Sequence, residues 1–333
     1  MEKMLPDGDL RGRPGAKDGR SARGHLLMML ATVLVATSFP VGAAITHGLD
    51  SLVLTFLRFT LAAVLFAPIV AWRYGLTMPG LRDLARYGVL SACLVGFFWG
   101  MFAALRHTSA LNTATIFALT PVITAAISAV LLKERLAGAA WIALPVGMTG
   151  AIWVIFRGDP AALVSLKLGP GDGIFLAATI ALGIYGPLVR YLHRGEPMAQ
   201  MTFWTLATGA FWLLLLSAPR LSGVEWDAVP LAVYGGIAYL AVFTTLVTFF
   251  AIQWSATVIG PTKVMSYTFL NPALVLLIGL ASGQENPPLA TFPGLLLVVA
   301  ATFFLQWSGP AALPVLEARR ALKPGAQPDT GLP

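Results

Sequence analysis

Ten stretches of this chain are each long and apolar enough to cross a lipid bilayer, and that property decides what it can fold into. They cover about 26–46, 51–72, 84–105, 110–132, 138–156, 171–192, 199–218, 230–253, 259–282 and 288–308. A bilayer core asks for about 20 apolar residues per helix. No water is present there to satisfy backbone N–H and C=O groups, so each stretch is expected as an α-helix. The connections are short, so consecutive helices should be antiparallel neighbours. The fold class is therefore an all-α integral membrane protein. Charged residues make up only 11% of the chain, too few to cover a water-facing surface, against about 25% in a soluble domain. Cys93 is the one cysteine, which excludes an intramolecular disulfide and a Cys-cluster metal site. Its apolar surroundings make it a packing residue.

The flanks differ from this body. Residues 1–24 are polar and basic, with Arg11, Arg13, Lys17, Arg20 and Arg23, and read as a disordered tail. The first apolar stretch exceeds a signal-peptide core, so it reads as an uncleaved helix, with cleavage near Ala44 the lesser alternative. The tail 309–333 is Pro-rich and also expected to be disordered. An even helix count puts both termini on one side. With both inside, sixteen Lys and Arg lie in inner segments and four in outer loops. The positive-inside rule then places both termini in the cytoplasm of a multi-pass cell-membrane protein. The net charge of +7 follows this topology, and no nucleic-acid partner is expected.

The chain also repeats itself, and repeats must be sought early because they set the architecture. Residues 112–134, NTATIFALTPVITAAISAVLLKE, have an echo at 263–285, KVMSYTFLNPALVLLIGLASGQE. Pro121 and Pro272 lie 151 positions apart, as do Glu134 and Glu285. SFPV at 38–41 and YGPL at 185–188 align at a shift of 147, as do Tyr87-Gly88 and Tyr234-Gly235. The second half thus carries four extra residues between its third and fourth helices. The expected halves are 25–157 and 171–308, joined by the loop 158–170. Each half has five helices, an odd number, so the two must insert with opposite orientations. Inverted repeats around a midplane site are a habit of secondary transporters.

Ten helices in two five-helix halves, proline-centred fourth and ninth helices, and the ends LLKERL and ASGQEN resemble the drug/metabolite transporter superfamily. SLVLTFLRFTLAA around Arg58 fits the same pattern. The chain is similar to the EamA-like exporters of bacteria over about residues 25–308. The resemblance implies a central cavity between the halves, alternating access, and a small-molecule substrate. Family members export amino acids or other small metabolites, and others move sugars or sugar derivatives.

Lys263 is the sharpest candidate for substrate contact, because an ammonium inside a membrane helix usually faces a cavity or a partner. Tyr267 and Asn271 continue its helical face at i+4 and i+8, and the three could hold a carboxylate or a phosphate. The alternative is that Lys263 snorkels to the headgroups. Asn112 is its repeat equivalent. Thr120 and Asn271 precede Pro121 and Pro272, which should free the carbonyls of Phe117 and Thr268 for a cavity or a packing kink. Phe39, Trp99, Tyr185 and Trp204 are mid-helix aromatics that suit a cavity wall for an organic solute, or interhelical packing. Arg58, with Asp50 within reach as a partner, reads as a structural anchor, with a substrate role as the alternative. Gly96 and Gly100, and Gly279 and Gly283, read as close-packing pairs.

All fifteen acidic residues lie at helix ends, in loops or in tails, so no mid-helix carboxylate stands ready to carry protons. Transport is accordingly expected to be facilitated or weakly tied to protons. No Walker A, HExxH or GxSxG pattern is present, so neither ATP drive nor an enzyme is expected, and no cofactor or metal is implied. The leading expectation is a secondary transporter exporting small organic metabolites such as amino acids. The alternatives are an importer of a sugar or organic acid, and a non-transporting membrane scaffold. The sequence leaves a homodimer open.

Overall fold

A computed structural model describes residues 14–45, 48–105, 107–108, 110–134, 138–165, 168–283 and 287–307. The long helices are α1 (Pro14–Ile45), α2 (Ser51–Tyr74) and α3 (Leu81–Leu105). Next come α4 (Ala110–Phe117), α5 (Thr120–Leu131), α6 (Gly138–Ile155) and the short α7 (Pro160–Val164). After them run α8 (Pro170–Leu192), α9 (Met198–Leu221), α10 (Leu231–Ala241) and α11 (Thr248–Val258). The chain closes with α12 (Pro261–Ser266), α13 (Leu270–Ala281) and α14 (Phe292–Trp307). Among the described residues, nine helical segments are long and apolar enough to cross a membrane, and Ala140–Ile155 is a shorter apolar helix.

Three features differ from the sequence expectation. Helix α1 begins at Pro14, inside the stretch expected as a tail, where Ala16, Lys17, Arg20, Ala22 and Arg23 favour helix without needing burial. Both proline-centred helices are broken rather than merely bent. The ring of Pro121 removes the N–H that would bond Phe117, and the Thr120 hydroxyl donates to that carbonyl instead at 2.6 Å. At Pro272 the chain passes through a 3-10 turn, Tyr267–Phe269, between α12 and α13. The eighth apolar stretch holds a π-helix at Val242–Val247, between α10 and α11.

Packing explains how so many hydroxyls sit inside. Thr55, Thr179 and Thr205 are fully buried, and each donates to the carbonyl one turn earlier in its own helix. Close helix contacts rest on small residues. A Cβ added at Gly100 of α3 would lie 2.7 Å from the Ala178 Cβ of α8. One at Gly150 of α6 would lie 2.9 Å from the backbone nitrogen of Val298 in α14. Gly283 packs against nothing within 4 Å; with φ +70 it ends α13 in the left-handed region. Trp72, Val130 and Leu231 point outward with 86%, 82% and 86% exposure, a surface suited to lipid.

The alternating helices give two rims. One carries the described residues at 48–50, 107–108, 156–165, 168–169, 222–230 and 287–291, and the other those at 75–80, 132–134, 193–197 and 259–260. The second rim also holds the Arg20 end of the membrane-length part of α1 and the end of α14.

Candidate functional site

At the second rim, the Lys263 ammonium donates to the carbonyl of Gln306 at 3.0 Å, near the C-terminus of α14. The Gln306 amide returns to the Lys263 carbonyl at 3.1 Å and to the Ser266 hydroxyl at 2.8 Å. Tyr267 is buried, with its hydroxyl 3.1 Å from Nδ1 of His25 on α1. Asn271 is also buried, and its Oδ1 has no hydrogen-bond partner among the described residues. The 3-10 turn thus sends Lys263 towards α14 and Tyr267 towards α1, where an unbroken helix would hold them on one face.

Beside them, Glu134 is 5% exposed and accepts from the Thr262 hydroxyl at 3.3 Å. Gly260, with φ +96, leaves room for this contact. A Cβ there would lie 3.2 Å from Nη1 of Arg190 and 3.5 Å from Oε1 of Glu134. Burial pushes the Glu134 carboxyl above the usual range, against the pull of Arg190 and the Thr262 hydroxyl. A raised carboxyl holds more protons folded than unfolded. Its contribution to stability is therefore full below the ordinary glutamate value and lost as pH rises through the folded value. Thermal unfolding of detergent-solubilised protein should show this loss, and Glu134→Gln should flatten it. An unchanged pH profile in the variant would contradict the assignment.

At the first rim, Asn112 donates to both carboxylate oxygens of Asp172 at 3.1 Å. Asp172 also accepts from the Thr108 hydroxyl, and from the Gly169 N–H at 2.5 Å. Asn112 therefore ties α4 to the start of α8 and lies at the opposite rim from Lys263.

Between the rims, Gln253 is fully buried and satisfied. Its amide donates to the Tyr185 hydroxyl at 2.9 Å and the Thr205 hydroxyl at 3.2 Å, and its Oε1 accepts from Thr202 at 2.5 Å. Tyr185 is 1% exposed, so this network joins α8, α9 and α11. Trp204 lines a groove of about 620 Å³ between α3 and α9, with Gly88, Thr208, Phe211 and Trp212. Trp99 is 48% exposed. Phe39 lies on α1, but its side chain falls outside the described residues.

Arg58 of α2 reaches the π-helix. Its Nε donates to the Thr245 hydroxyl and its Nη2 to the Thr244 carbonyl at 2.8 Å. The guanidinium carbon sits 5.3 Å from the centre of the Phe98 ring. Asp50 is committed elsewhere. It caps the start of α2 and pairs with Arg220 at 3.0 Å. Sequence reasoning missed Gln253, the Glu134–Thr262 contact and the role of Asp172. Only Glu134 carried a signal, as the residue that closes the repeat. Among the described residues, no group of three or more His, Cys, Asp or Glu could hold a metal.

The sequence model of the EamA-like transporter family matches this chain twice, over residues 22–156 and 169–307. The chain is similar to the "Uncharacterized transporter YyaM" of Bacillus subtilis, with 28% identity over 77% of this chain and 84% of that protein. It is also 25% identical to a "Probable terminal-alkyne amino-acid exporter" of Streptantibioticus cattleyicolor, over 81% of this chain and 89% of that one. One solved crystal structure shares the fold, with a TM-score of 0.71 at 19% identity, covering 85% of this chain and 97% of its own. With two matches that together span most of its length, the chain belongs to the EamA-like transporter family, a family of multi-pass membrane transporters.

Proposed function

We propose that this protein is a secondary transporter that exports small organic metabolites, amino acids among them, by alternating access at a cavity between two inverted five-helix halves. The twofold family match carries this reading, since each half meets the same family pattern. One similar protein bears the name of an amino-acid exporter, which supports the substrate class. The two halves also make related ties between corresponding helices. Asp172 of α8 holds Asn112, and His25 of α1 holds Tyr267, one turn beyond Lys263. Positions 25 and 172 differ by the repeat shift of 147, and 112 and 263 by 151.

In this reading the shorter apolar helix α6 completes a set of ten, and both termini face the cytoplasm. The second rim is then cytoplasmic. A solute leaving the cell meets Lys263, Tyr267 and Asn271 from that side, and Asn112 guards the exit. Thr120, Pro121 and Pro272 form the broken midsections that change shape between states. Trp99, Tyr185 and Trp204 supply or buttress the aromatic walls.

Cells that overproduce the protein and are loaded with amino acids through dipeptide feeding should lose them to the medium faster than control cells. Equal efflux for every amino acid tested would count against the substrate class. A reporter fused to the C-terminus should be active only in its cytoplasmic form. A reporter active outside would remove the argument for inverted halves.

A further inference from the structure

Arg58 lies inside a membrane-length helix, and its hydrogen bonds among the described residues go to neutral groups. It is the eighth residue of α2, about 10 Å along the helix from Ser51 at 1.5 Å per residue. The apolar span of α2 runs on for sixteen residues beyond it, to Tyr74. Its partners are the Thr245 hydroxyl, the Thr244 carbonyl and the face of the Phe98 ring. The carbonyl and the ring face attract a cation, but none of the three carries a negative charge. The nearest acid in the chain, Asp50, already pairs with Arg220. Glu134 and Asp172 sit at the two rims with Thr262 and Asn112.

The anchoring is specific. Thr244 and Thr245 are buried and belong to the π-helix, whose altered register turns the Thr244 carbonyl outward to the guanidinium. Such turns are rare and concentrate at functional sites. The Thr244 carbonyl also accepts from the Thr248 hydroxyl at 2.9 Å, so it is held by two side chains. Nε and Nη2 are thereby fixed in place. Nη1 makes no hydrogen bond among the described residues, and Arg58 keeps accessible surface while its threonine partners have none to speak of. An arginine in a membrane helix is costly, and it is retained where it meets a counter-charge or a water-filled path. Among the described residues, the fold supplies the holder and no acidic partner bonded to it.

We infer that Arg58 is the anchor for the carboxylate of the transported solute. Nη1 is the donor to that carboxylate, while Nε and Nη2 stay on the π-helix. The Phe98 ring beside it offers an apolar face to the rest of the molecule. A single guanidinium suits a monoanion, so the class is an organic carboxylate with an apolar body, such as a neutral amino acid. This rests on the transport reading for its setting, although the binding itself does not depend on it. In that setting Lys263 at the cytoplasmic rim meets the carboxylate first and Arg58 receives it deeper.

The test pairs two readouts. In the first, purified protein in proteoliposomes is assayed for counterflow of the twenty common amino acids, with each amino acid and its α-amide as competitors. The acid should compete on the order of ten- to a hundredfold better than the amide, the worth of one charge-assisted hydrogen bond. Arg58→Met should lose that preference and Arg58→Lys should keep part of it. Equal competition by acid and amide, or normal counterflow in Arg58→Met, overturns the proposal. In the second readout, detergent-solubilised wild-type protein is melted with the same acids and amides, and the acids alone should raise Tm. No shift with any carboxylate overturns the proposal even where Arg58→Met fails to fold. A carboxylate-specific shift without any counterflow would instead sink the transport reading and leave the binding site standing.

Discussion

Arg86→Ala should cost about 1.5–3 kcal/mol of stability, the usual worth of a partly buried hydrogen bond to a charged group. Arg86 is 9% exposed and joins four groups at the second rim. Its Nη1 donates to the Leu192 carbonyl at 2.6 Å, at the last residue of α8. It pairs with Asp83 at 3.0 Å and Glu196 at 3.3 Å, and its guanidinium carbon lies 5.2 Å from the centre of the Tyr87 ring. Without it, Glu196 would keep a buried charge with less to balance it, and the end of α8 would lose its acceptor's partner. Arg194 offers the matched control. It reaches the same Asp83 at 3.4 Å, but its side chain is 63% exposed. Arg194→Ala should therefore cost below about 1 kcal/mol, as exposed pairs do. Thermal unfolding in detergent measures both. Similar losses in the two variants would mean that burial does not set the strength of this cluster.

Lys263→Met should weaken solute transport at least tenfold while leaving the fold nearly intact. Methionine keeps the apolar stem and removes the charge. The stability lost is that of a cation at the carbonyl end of α14, where Lys263 meets Gln306 at 3.0 Å. Such a contact is worth roughly 0.3–1 kcal/mol. The transport loss is larger because a charge–charge contact with a carboxylate is stronger in a cavity than in water. Lys263→Arg should retain more activity than Lys263→Met, although a planar fork does not replace a point charge. Normal transport by the methionine variant would reduce Lys263 to a residue that fastens α12 to α14.

The helices were legible because membrane length and apolar composition leave the chain no other structure. Pro121 and Pro272 marked the breaks, but their form depended on neighbours. Thr120 can reach back to the Phe117 carbonyl, whereas the second copy has Asn271 in that place and resolves into a 3-10 turn. That turn separates Lys263 from Tyr267, which a simple i, i+4 reading puts on one face. The π-helix was not legible, since VFTTLV has nothing that distinguishes it from an α-helix. Its contact with Arg58 is equally hidden, 187 positions from Thr245. The same holds for Gln253 with Tyr185, 68 positions apart, and for Glu134 with Thr262, 128 apart. Polar pairs inside a membrane protein are chosen by which helices touch, and periodicity within one helix carries no record of that choice.

The most direct test of the transporter assignment is counterflow in proteoliposomes that contain only this protein and lipid. Vesicles preloaded with one unlabelled amino acid at a time are diluted into a trace of the same labelled compound. For at least one neutral amino acid, label should rise inside above the level in protein-free vesicles and then decay as the gradient runs down. Uptake no different from protein-free vesicles for every compound, with correctly folded and inserted protein, would contradict the account.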